Sequence, residues 1–242
     1  MPPQEYPIKN LLEAIHRWNA YKFPIRFHPA TRELMTSIAK ALNVPFAENI
    51  MDPLLELVNN LEVNALILDR LPISPTGEEY DQFKSMIKTT LTPTSLKSGS
   101  SFNVVPDRAE SGWDMRYMPG EDIEKVQSDL WDLLPEGVQI EKNNFFPPSE
   151  SPVDSPLTQS IKQAIHQVDP QIIPVPFIIP GYTDGHFLRQ KNIHTYGFAP
   201  VHPEDSDFGV HTVNENLPLR SVEYGWKTAW MVLKNFCRYP LV

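Results

Sequence analysis

Arg116 is the first residue whose type and position could perform chemistry. It lies on the polar face of a predicted strand, thirteen residues after Asn103 of the segment Asn103-Val104-Val105-Pro106. An arginine there offers a planar fork that can hold a carboxylate through two parallel hydrogen bonds. The simpler alternative is a surface ion pair between Arg116 and either Asp114 or Glu110. The spacing alone favours the surface pair.

A second candidate is the tight loop Gly181-Tyr182-Thr183-Asp184-Gly185, which separates a predicted strand from a predicted helix. Backbone N–H groups in such a turn can hold an anion or an oxyanion. Thr183 or Asp184 could instead cap the next helix with its side chain. Capping is the simpler interpretation of this loop.

The third candidate is the segment 202–211, which contains His202, His211 and three carboxylates within ten residues. Such side chains could ligate zinc or a similar ion. The alternative, which the segment alone favours, is an acidic loop exposed to solvent. Elsewhere the sequence has no G-x-S-x-G, G-x-x-x-x-G-K, H-E-x-x-H or C-x-x-C motif.

Periodicity predicts an α+β unit in the first part of the chain. Apolar residues at helical spacing predict helices over 8–18 and 123–134. The segment 31–90 is mostly helical in pattern and is interpreted as a helical insert. Between 100 and 118 the period is two, which places Trp113, Met115 and Tyr117 on the core face of a strand, and another strand is predicted near 137–146. These elements predict helices packed on one face of an antiparallel sheet.

A different architecture is predicted after the run 146–152, which has the composition of a linker. Ser155-Pro156 is typical of a helix start. The predicted elements are then a helix to 168, a strand at 172–179, a short helix at 185–190, a strand at 193–198 and a helix at 221–236. Alternating helices and strands indicate part of an α/β domain, so we expect two domains, 1–149 and 150–242. Two strands are few for such a domain, which suggests that sequence is absent.

Composition narrows the class of protein. The chain has 242 residues, 41% of them apolar, and a formal charge of −9 without a basic stripe, which argues against nucleic acid as a partner. No stretch is long and apolar enough to span a bilayer and no signal peptide is visible, so membrane association is not expected and a cytoplasmic location is the default. The single cysteine, Cys237, is expected to be buried in a helix.

The order and spacing of these segments resemble the di-zinc metallopeptidase family of aminoacylase, acetylornithine deacetylase, succinyl-diaminopimelate desuccinylase and glutamate carboxypeptidase. Met1-Pro2-Pro3 resembles the end of the family's H-x-S-M-P-P segment. The N-V-I-P, D-x-R, P-G-E-D, G-x-T-D and H-G-x-N-E motifs are similar to segments beginning at Asn103, Asp114, Pro119, Gly181 and His211. The family often carries a second glycine where this chain has Tyr182.

The resemblance implies a function and a set of site residues. It implies a lid or dimerisation domain with a helical insert, followed by the end of an α/β zinc-exopeptidase domain. Arg116, Asn103, Gly181 and Thr183 would bind substrate, and His211 would ligate zinc. In an intact member, two zinc ions, or other divalent metals, activate a water that attacks the amide bond of an N-acyl amino acid or short peptide. A homodimer through the lid domain is also implied.

The departure from the family concerns catalysis. The family's H-x-D pair, bridging aspartate and glutamate pair have no counterpart in this sequence, so no catalytic residue is assigned and the general base is expected upstream. One histidine does not hold a zinc pair, so we expect the chain to be inactive alone, and zinc binding stays open. Two alternatives are a non-catalytic dimerisation or ligand-binding module, and an incomplete gene model in which Met1 is internal.

Overall fold

The structure is a computed structural model that describes residues 5–41, 85–179, 181–205, 208–210 and 213–238. Within those ranges it contains six helices and two strands. In chain order they are α1 (Pro7–Ala20), α2 (Pro29–Ala41), β1 (Thr90–Ser98), β2 (Ala109–Arg116), α3 (Ile123–Trp131), α4 (Pro156–Val168), α5 (Gly185–Arg189) and α6 (Leu219–Phe236).

The two strands form an antiparallel ladder in which Thr90 lies opposite Arg116. The register shifts between Pro93 and Ser95, where a bulge interrupts the ladder. Because proline has no N–H group to donate, it is tolerated in a sheet mainly at bulges and edges. Next to the bulge, the backbone N–H of Gly112 donates to the hydroxyl of Ser95 at 3.2 Å.

The predicted core face of β2 is confirmed. Phe23, Val126 and Leu130 form a buried cluster, and partly buried apolar side chains that pack against it include Trp18, Met115 and Tyr117. The Trp18 ring also meets Trp113 edge to face at 5.1 Å, and its indole N–H donates to the carbonyl of Leu130 at 2.9 Å. Helices α1 and α3 therefore join the β2 face in one core, as the α+β prediction requires.

The turn between β2 and α3 is built by the run Pro119-Gly120-Glu121-Asp122. Gly120 has φ of +74°, a left-handed conformation that favours glycine. The Asp122 side chain caps α3 by accepting from the N–H of Lys125 at 3.0 Å. The Glu121 side chain is fully buried and accepts a hydrogen bond from the hydroxyl of Thr89.

Thr89 connects this turn to the start of β1. Its hydroxyl oxygen also accepts from the backbone N–H of Met118 at 3.1 Å. Arg26 approaches the other oxygen of Glu121, with its Nε atom at 3.7 Å. The Thr89 hydrogen bond and the nearby charge of Arg26 offset part of the cost of burying this carboxylate, whose Oε1 atom accepts no hydrogen bond within the described residues. These contacts tie the turn to the segment before α2.

In the second part of the chain, α4 packs against α6. The predicted start of α4 is confirmed, because Ser155 and Thr158 form a reciprocal capping box and Pro156 occupies the first turn. The predicted short helix and final helix are also present as α5 and α6. Buried residues of the two long helices are Ser160, Ala164, Ile165, Ser221, Thr228 and Val232.

Three predicted strands are wrong. The segments 137–146, 172–179 and 193–198 have no regular secondary structure. A strand requires hydrogen bonding to a neighbouring strand, and the described part of the chain pairs only β1 with β2. The alternation of apolar residues predicted these strands. It does not show whether another strand lies beside them to complete their hydrogen bonds.

Two further predictions concern Cys237 and the helical insert at 31–90. Cys237 is exposed at the C-cap of α6, so the expectation of a buried cysteine is wrong. Of the helical insert at 31–90, α2 accounts for the residues up to 41, while 42–84 lie outside the described residues. Within the described ranges, no helix combines the length and apolar character needed to cross a membrane.

Replacement of Glu121 by alanine should destabilise the fold. The substitution leaves the buried Thr89 hydroxyl without its acceptor and Arg26 without its nearby carboxylate. We expect the free energy of unfolding to fall by about 2 kcal/mol, measured by urea denaturation. The exposed residue Glu141 provides a matched control, and its replacement by alanine should change stability by less than about 0.5 kcal/mol. Equal effects of the two substitutions would contradict the assigned role of Glu121.

Candidate functional site

A cleft of about 610 Å³ lies between the end of β2 and the segments that surround α5. This volume is within the range of small-molecule sites in proteins, about 300–1,000 Å³. Five segments supply most of its lining, and they are 114–119, 144–151, 175–179, 181–186 and 195–197. The cleft therefore combines residues from both predicted domains.

Arg116 and Asp114 lie together on the cleft lining. The guanidinium group donates from Nε to the Asp114 carboxylate at 2.8 Å, so the predicted pair with Asp114 is formed. Both side chains are about half exposed. Exposed ion pairs contribute about 0–1 kcal/mol, so a ligand carboxylate could replace Asp114 at small cost.

The Gly181–Gly185 loop reaches the same cleft through Gly181 and Thr183. The backbone carbonyl of Thr183 accepts from the N–H of His186 at 3.0 Å, which starts α5. Asp184 occupies the N-cap position, and within the described residues its side chain makes no capping hydrogen bond. Side-chain capping by Asp184 therefore does not explain this loop.

An aromatic cluster, consisting of Phe146, Tyr182, His186 and Phe187, extends from this loop. The centroids of the Phe146 and Tyr182 rings are 4.8 Å apart, and every other pair of rings lies within 6.4 Å. Phe146, Tyr182 and His186 also line the cleft. Sequence reasoning did not identify this cluster, although Tyr182 in place of a family glycine was a signal.

The segment 175–179 adds apolar side chains to the cleft lining and lies close to the segment 195–197. A Cβ atom on Gly197 would lie 2.9 Å from Cδ1 of Ile179, so a side chain at position 197 would displace Ile179. Val175, Phe177 and Ile179 all line the cleft. Glycine at position 197 thus leaves room for the end of the Ile179 side chain.

A seam of polar contacts holds the predicted linker against the segment after α5. The Ser151 hydroxyl donates to the carbonyl of Thr195 at 3.0 Å and accepts from its N–H at 2.9 Å. Arg189 donates to the Ser149 hydroxyl at 2.9 Å and to the Thr195 carbonyl at 3.0 Å. The Tyr196 hydroxyl donates to the carbonyl of Pro152 at 2.8 Å. The linker is therefore fixed in place rather than free.

Contacts from α2 and the residues before it complete the positioning of this linker. His28 donates from Nε2 to the Glu150 carboxylate, while its Nδ1 accepts from the N–H of Ala30 at 3.2 Å. Glu33 of α2 pairs with Lys162 of α4 at 2.9 Å. Both contacts join the first part of the chain to the second, and His28 and Glu150 also line the cleft.

Tyr117 adds a neutral polar group to the cleft lining. Burial raises the pKa of its phenol, an effect that the hydrogen bond donated by Gln127 at 2.9 Å opposes and the negative charge of Glu121 reinforces. The hydroxyl therefore stays protonated at neutral pH and remains a hydrogen-bonding group without charge.

Asn103 does not join the cleft in the described structure. Asn103 is exposed in the connection between β1 and β2 and is not among the lining residues. His211 and the segment 1–3 lie outside the described residues. The cleft therefore brings together Arg116, Gly181 and Thr183, and the roles assigned to all five residues stay predictions.

The described part of the acidic segment 202–211 is engaged at the start of α6. Arg220 donates from Nε to Asp205 at 2.8 Å and from Nη1 to Glu204 at 2.7 Å, and the Ser221 hydroxyl donates to Asp205 at 2.6 Å. The guanidinium and then the hydroxyl lower the pKa of Asp205. Among the described residues no group of three His, Cys, Asp or Glu side chains could hold a metal. Those residues alone do not fit a zinc pair.

Comparison with known families decides the membership of the chain. Residues 3–139 match the M20 family of peptidase dimerisation domains, and this match covers more than half of the sequence. The chain belongs to the M20 peptidase family. The predicted resemblance is thereby confirmed at the level of the family.

Individual relatives agree with this membership. The human N-fatty-acyl-amino acid synthase/hydrolase PM20D1 is 28% identical over 244 residues, covering 97% of this chain and 45% of that protein. Aminoacylase-1 of Dictyostelium discoideum is 26% identical over 148 residues, covering 56% of this chain and 36% of that protein. The chain thus spans less than half the length of these relatives.

A solved structure supports the fold class of the whole chain. The M20 family metallo-carboxypeptidase Sso-CP2 from Sulfolobus solfataricus matches with a TM-score of 0.56 and 18% identity. The match covers 96% of this chain and 53% of that structure. The expected fold class is therefore confirmed, although the three individual strands named above are not formed.

The stability of the fold should depend on pH through the carboxylate of Asp205. Because its folded-state pKa is lowered, the carboxylate stabilises the fold above the ordinary aspartate pKa of about 3.9, and this contribution is lost as the pH falls through the folded-state value. Asp205→Asn should lower stability at neutral pH and remove part of the stability loss on acidification. Thermal unfolding between pH 7 and pH 3 measures both effects. Asp107→Asn, at an exposed position, should keep the wild-type pH dependence.

Proposed function

We propose that this chain binds the substrate during hydrolysis of an amide bond in N-acyl amino acids or short peptides. The proposal rests on the cleft whose lining includes Arg116, Gly181 and Thr183. These residues are far apart in the sequence but line one small-molecule-sized cavity. An arginine and a glycine-containing loop are suited to a carboxylate and a carbonyl oxygen respectively.

The names of the relatives support this chemistry. The human relative is an N-fatty-acyl-amino acid synthase/hydrolase, and the Sulfolobus structure is a metallo-carboxypeptidase. An N-acyl amino acid and a carboxypeptidase substrate share an amide bond next to a free carboxylate. A cleft that holds the carboxylate and the carbonyl together would orient this bond, which is a major part of catalysis.

Each lining residue has a proposed role. Arg116 would exchange its contact with Asp114 for the substrate carboxylate. Gly181 and Thr183 would donate hydrogen bonds to the carbonyl oxygen, and neutral Tyr117 would contact the substrate without adding charge. Asn103 would require movement of the β1–β2 connection to contribute.

The described residues do not provide a group of side chains that could hold the metal of the proposed reaction. In the family-like reaction, zinc would supply an activated water and polarise the carbonyl. His211 is our proposed ligand, and the other ligands and the general base are not assigned to this chain.

A second candidate function is a non-catalytic dimerisation or ligand-binding module. It is favoured by the match of residues 3–139 to a dimerisation domain, and it predicts a homodimer. Zinc distinguishes the two candidates in the assembled protein, because a hydrolase completed by the other metal ligands requires metal and a dimerisation module does not. In the purified chain, binding of an N-acyl amino acid distinguishes them, because dimerisation alone does not require it.

Substitution of Arg116 tests the binding role directly. Arg116→Ala should weaken binding of an N-acyl amino acid about tenfold or more, since a charge-assisted hydrogen bond contributes about 1.5–3 kcal/mol. Arg116→Lys should recover only part of this affinity, because lysine has no planar fork. Isothermal titration calorimetry with wild-type chain and variants gives the dissociation constants.

Two controls make the Arg116 result specific. The matching N-acyl amino acid amide, which lacks the carboxylate, should bind wild type and Arg116→Ala equally. Arg108→Ala removes another arginine, one that pairs with Glu110 beside β2, and should leave binding unchanged. Equal losses for the carboxylate and the amide would refute the role of Arg116.

Metal content and turnover test the catalytic part of the proposal. We expect the purified chain to contain well under two zinc ions by mass spectrometry and to hydrolyse no member of a panel of N-acyl amino acids and dipeptides. Two bound zinc ions with turnover abolished by chelation would show that this chain completes its own site. No metal, no turnover and no binding of any panel member would leave only the dimerisation function.

A further inference from the structure

The aromatic cluster beside the Gly181–Gly185 loop has no role in the function proposed above. Phe146, Tyr182 and Phe187 are each about half exposed, although their rings contact one another. Large aromatic rings usually bury more of their surface. Because Phe146, Tyr182 and His186 of this cluster line the cleft, they present an apolar surface to part of a ligand bound there.

We propose that the aromatic cluster is a subsite for an apolar acyl chain, and that Tyr182 sets the preference of the cleft for long acyl groups over short ones. This inference rests on the proposed function, because it takes the ligand to be an N-acyl amino acid. The carboxylate end would be held at Arg116, and the acyl chain would lie along the cluster.

Charge and polarity around the cleft fit such an amphiphilic ligand. Arg116 supplies a cation at the end of β2, whereas Val175, Phe177 and Ile179 add apolar side chains to the cleft lining. One cleft thus offers both a charged anchor and apolar side chains. A hydrophilic dipeptide would use the anchor but would leave the apolar side chains in contact with water.

Tyr182 is the member of the cluster that belongs to the Gly181–Gly185 loop beside both Gly181 and Thr183. A glycine at position 182 would contribute no ring. The Tyr182 ring contacts all three other members of the cluster, with centroid distances of 4.8 Å to Phe146, 5.8 Å to His186 and 6.3 Å to Phe187. Its loss would therefore remove both its own apolar surface and support for its neighbours.

The other members hold the cluster in position. His186 is buried, and its Nε2 atom accepts from the side-chain amide of Gln190 at 2.9 Å, which fixes the ring within α5. Phe146 belongs to the linker that the Ser151 and Arg189 contacts attach to the segment after α5. The subsite is consequently preformed, which lowers the entropic cost of binding.

The test measures binding of N-acetylglycine, N-octanoylglycine and N-dodecanoylglycine to the 242-residue chain by calorimetry, below their micelle concentrations. Glycine keeps the amino acid constant, so only the acyl chain changes. We expect the affinity to rise at least about tenfold from the acetyl to the dodecanoyl ligand, because each buried methylene is favourable. Tyr182→Gly should weaken dodecanoyl binding about tenfold and leave acetyl binding within about twofold.

Three comparisons control the result. Tyr182→Phe keeps the ring and should bind like wild type, and the retained binding of N-acetylglycine by Tyr182→Gly shows that the glycine variant is folded. Trp226→Ala removes an exposed aromatic residue on α6, outside the cleft, and should have no effect. Unchanged dodecanoyl binding in Tyr182→Gly, or an equal loss in Trp226→Ala, would overturn the proposal. A Tyr182→Gly variant that loses affinity for N-acetylphenylalanine but not for N-dodecanoylglycine would also overturn the proposal. The cluster would then bind the side chain of the amino acid.

Failure of this inference can be separated from failure of the proposed function. Arg116-dependent binding that is independent of acyl length would retain the substrate-binding function and reject the acyl subsite. Length-dependent binding that requires Tyr182 but is insensitive to Arg116 would retain the apolar subsite and reject the carboxylate anchor.

Discussion

The seam between Ser151 and Thr195 is the interaction on which the cleft depends. The Ser151 hydroxyl both donates to and accepts from the backbone of Thr195, and Arg189 binds that same carbonyl and Ser149. A proline-rich linker would otherwise sample many conformations and carry Phe146 with it. Because the seam fixes the linker, residues from distant parts of the sequence share one cavity.

The same principle applies on the other side of the linker. Glu150 pairs with His28, and α2 reaches α4 through Glu33 and Lys162. Polar contacts of this kind near the surface contribute little to stability individually. They matter here because they join His28 and Glu33 to the linker and to α4. The arrangement gives a preformed cleft from short polar contacts rather than from a large apolar interface.

The sequence predicted helices and the core face of β2 because those features repeat at fixed periods. Ser155 and Pro156 predicted the start of α4 because capping is a local property. The three incorrect strands depended on partners that periodicity does not specify. Similarly, Arg116 and Gly181 could be identified by motif, but the aromatic cluster could not, since Phe146 and Tyr182 meet only after the linker is fixed.

The run Pro119-Gly120-Glu121-Asp122 shows why a matching sequence motif is not by itself evidence of activity. One residue adopts a left-handed turn, one is a buried carboxylate and one caps a helix. All three requirements are architectural, and selection for a folded chain alone would preserve them. The presence of this tetrapeptide in a chain therefore shows that the turn before the helix can form, and it carries no information about turnover.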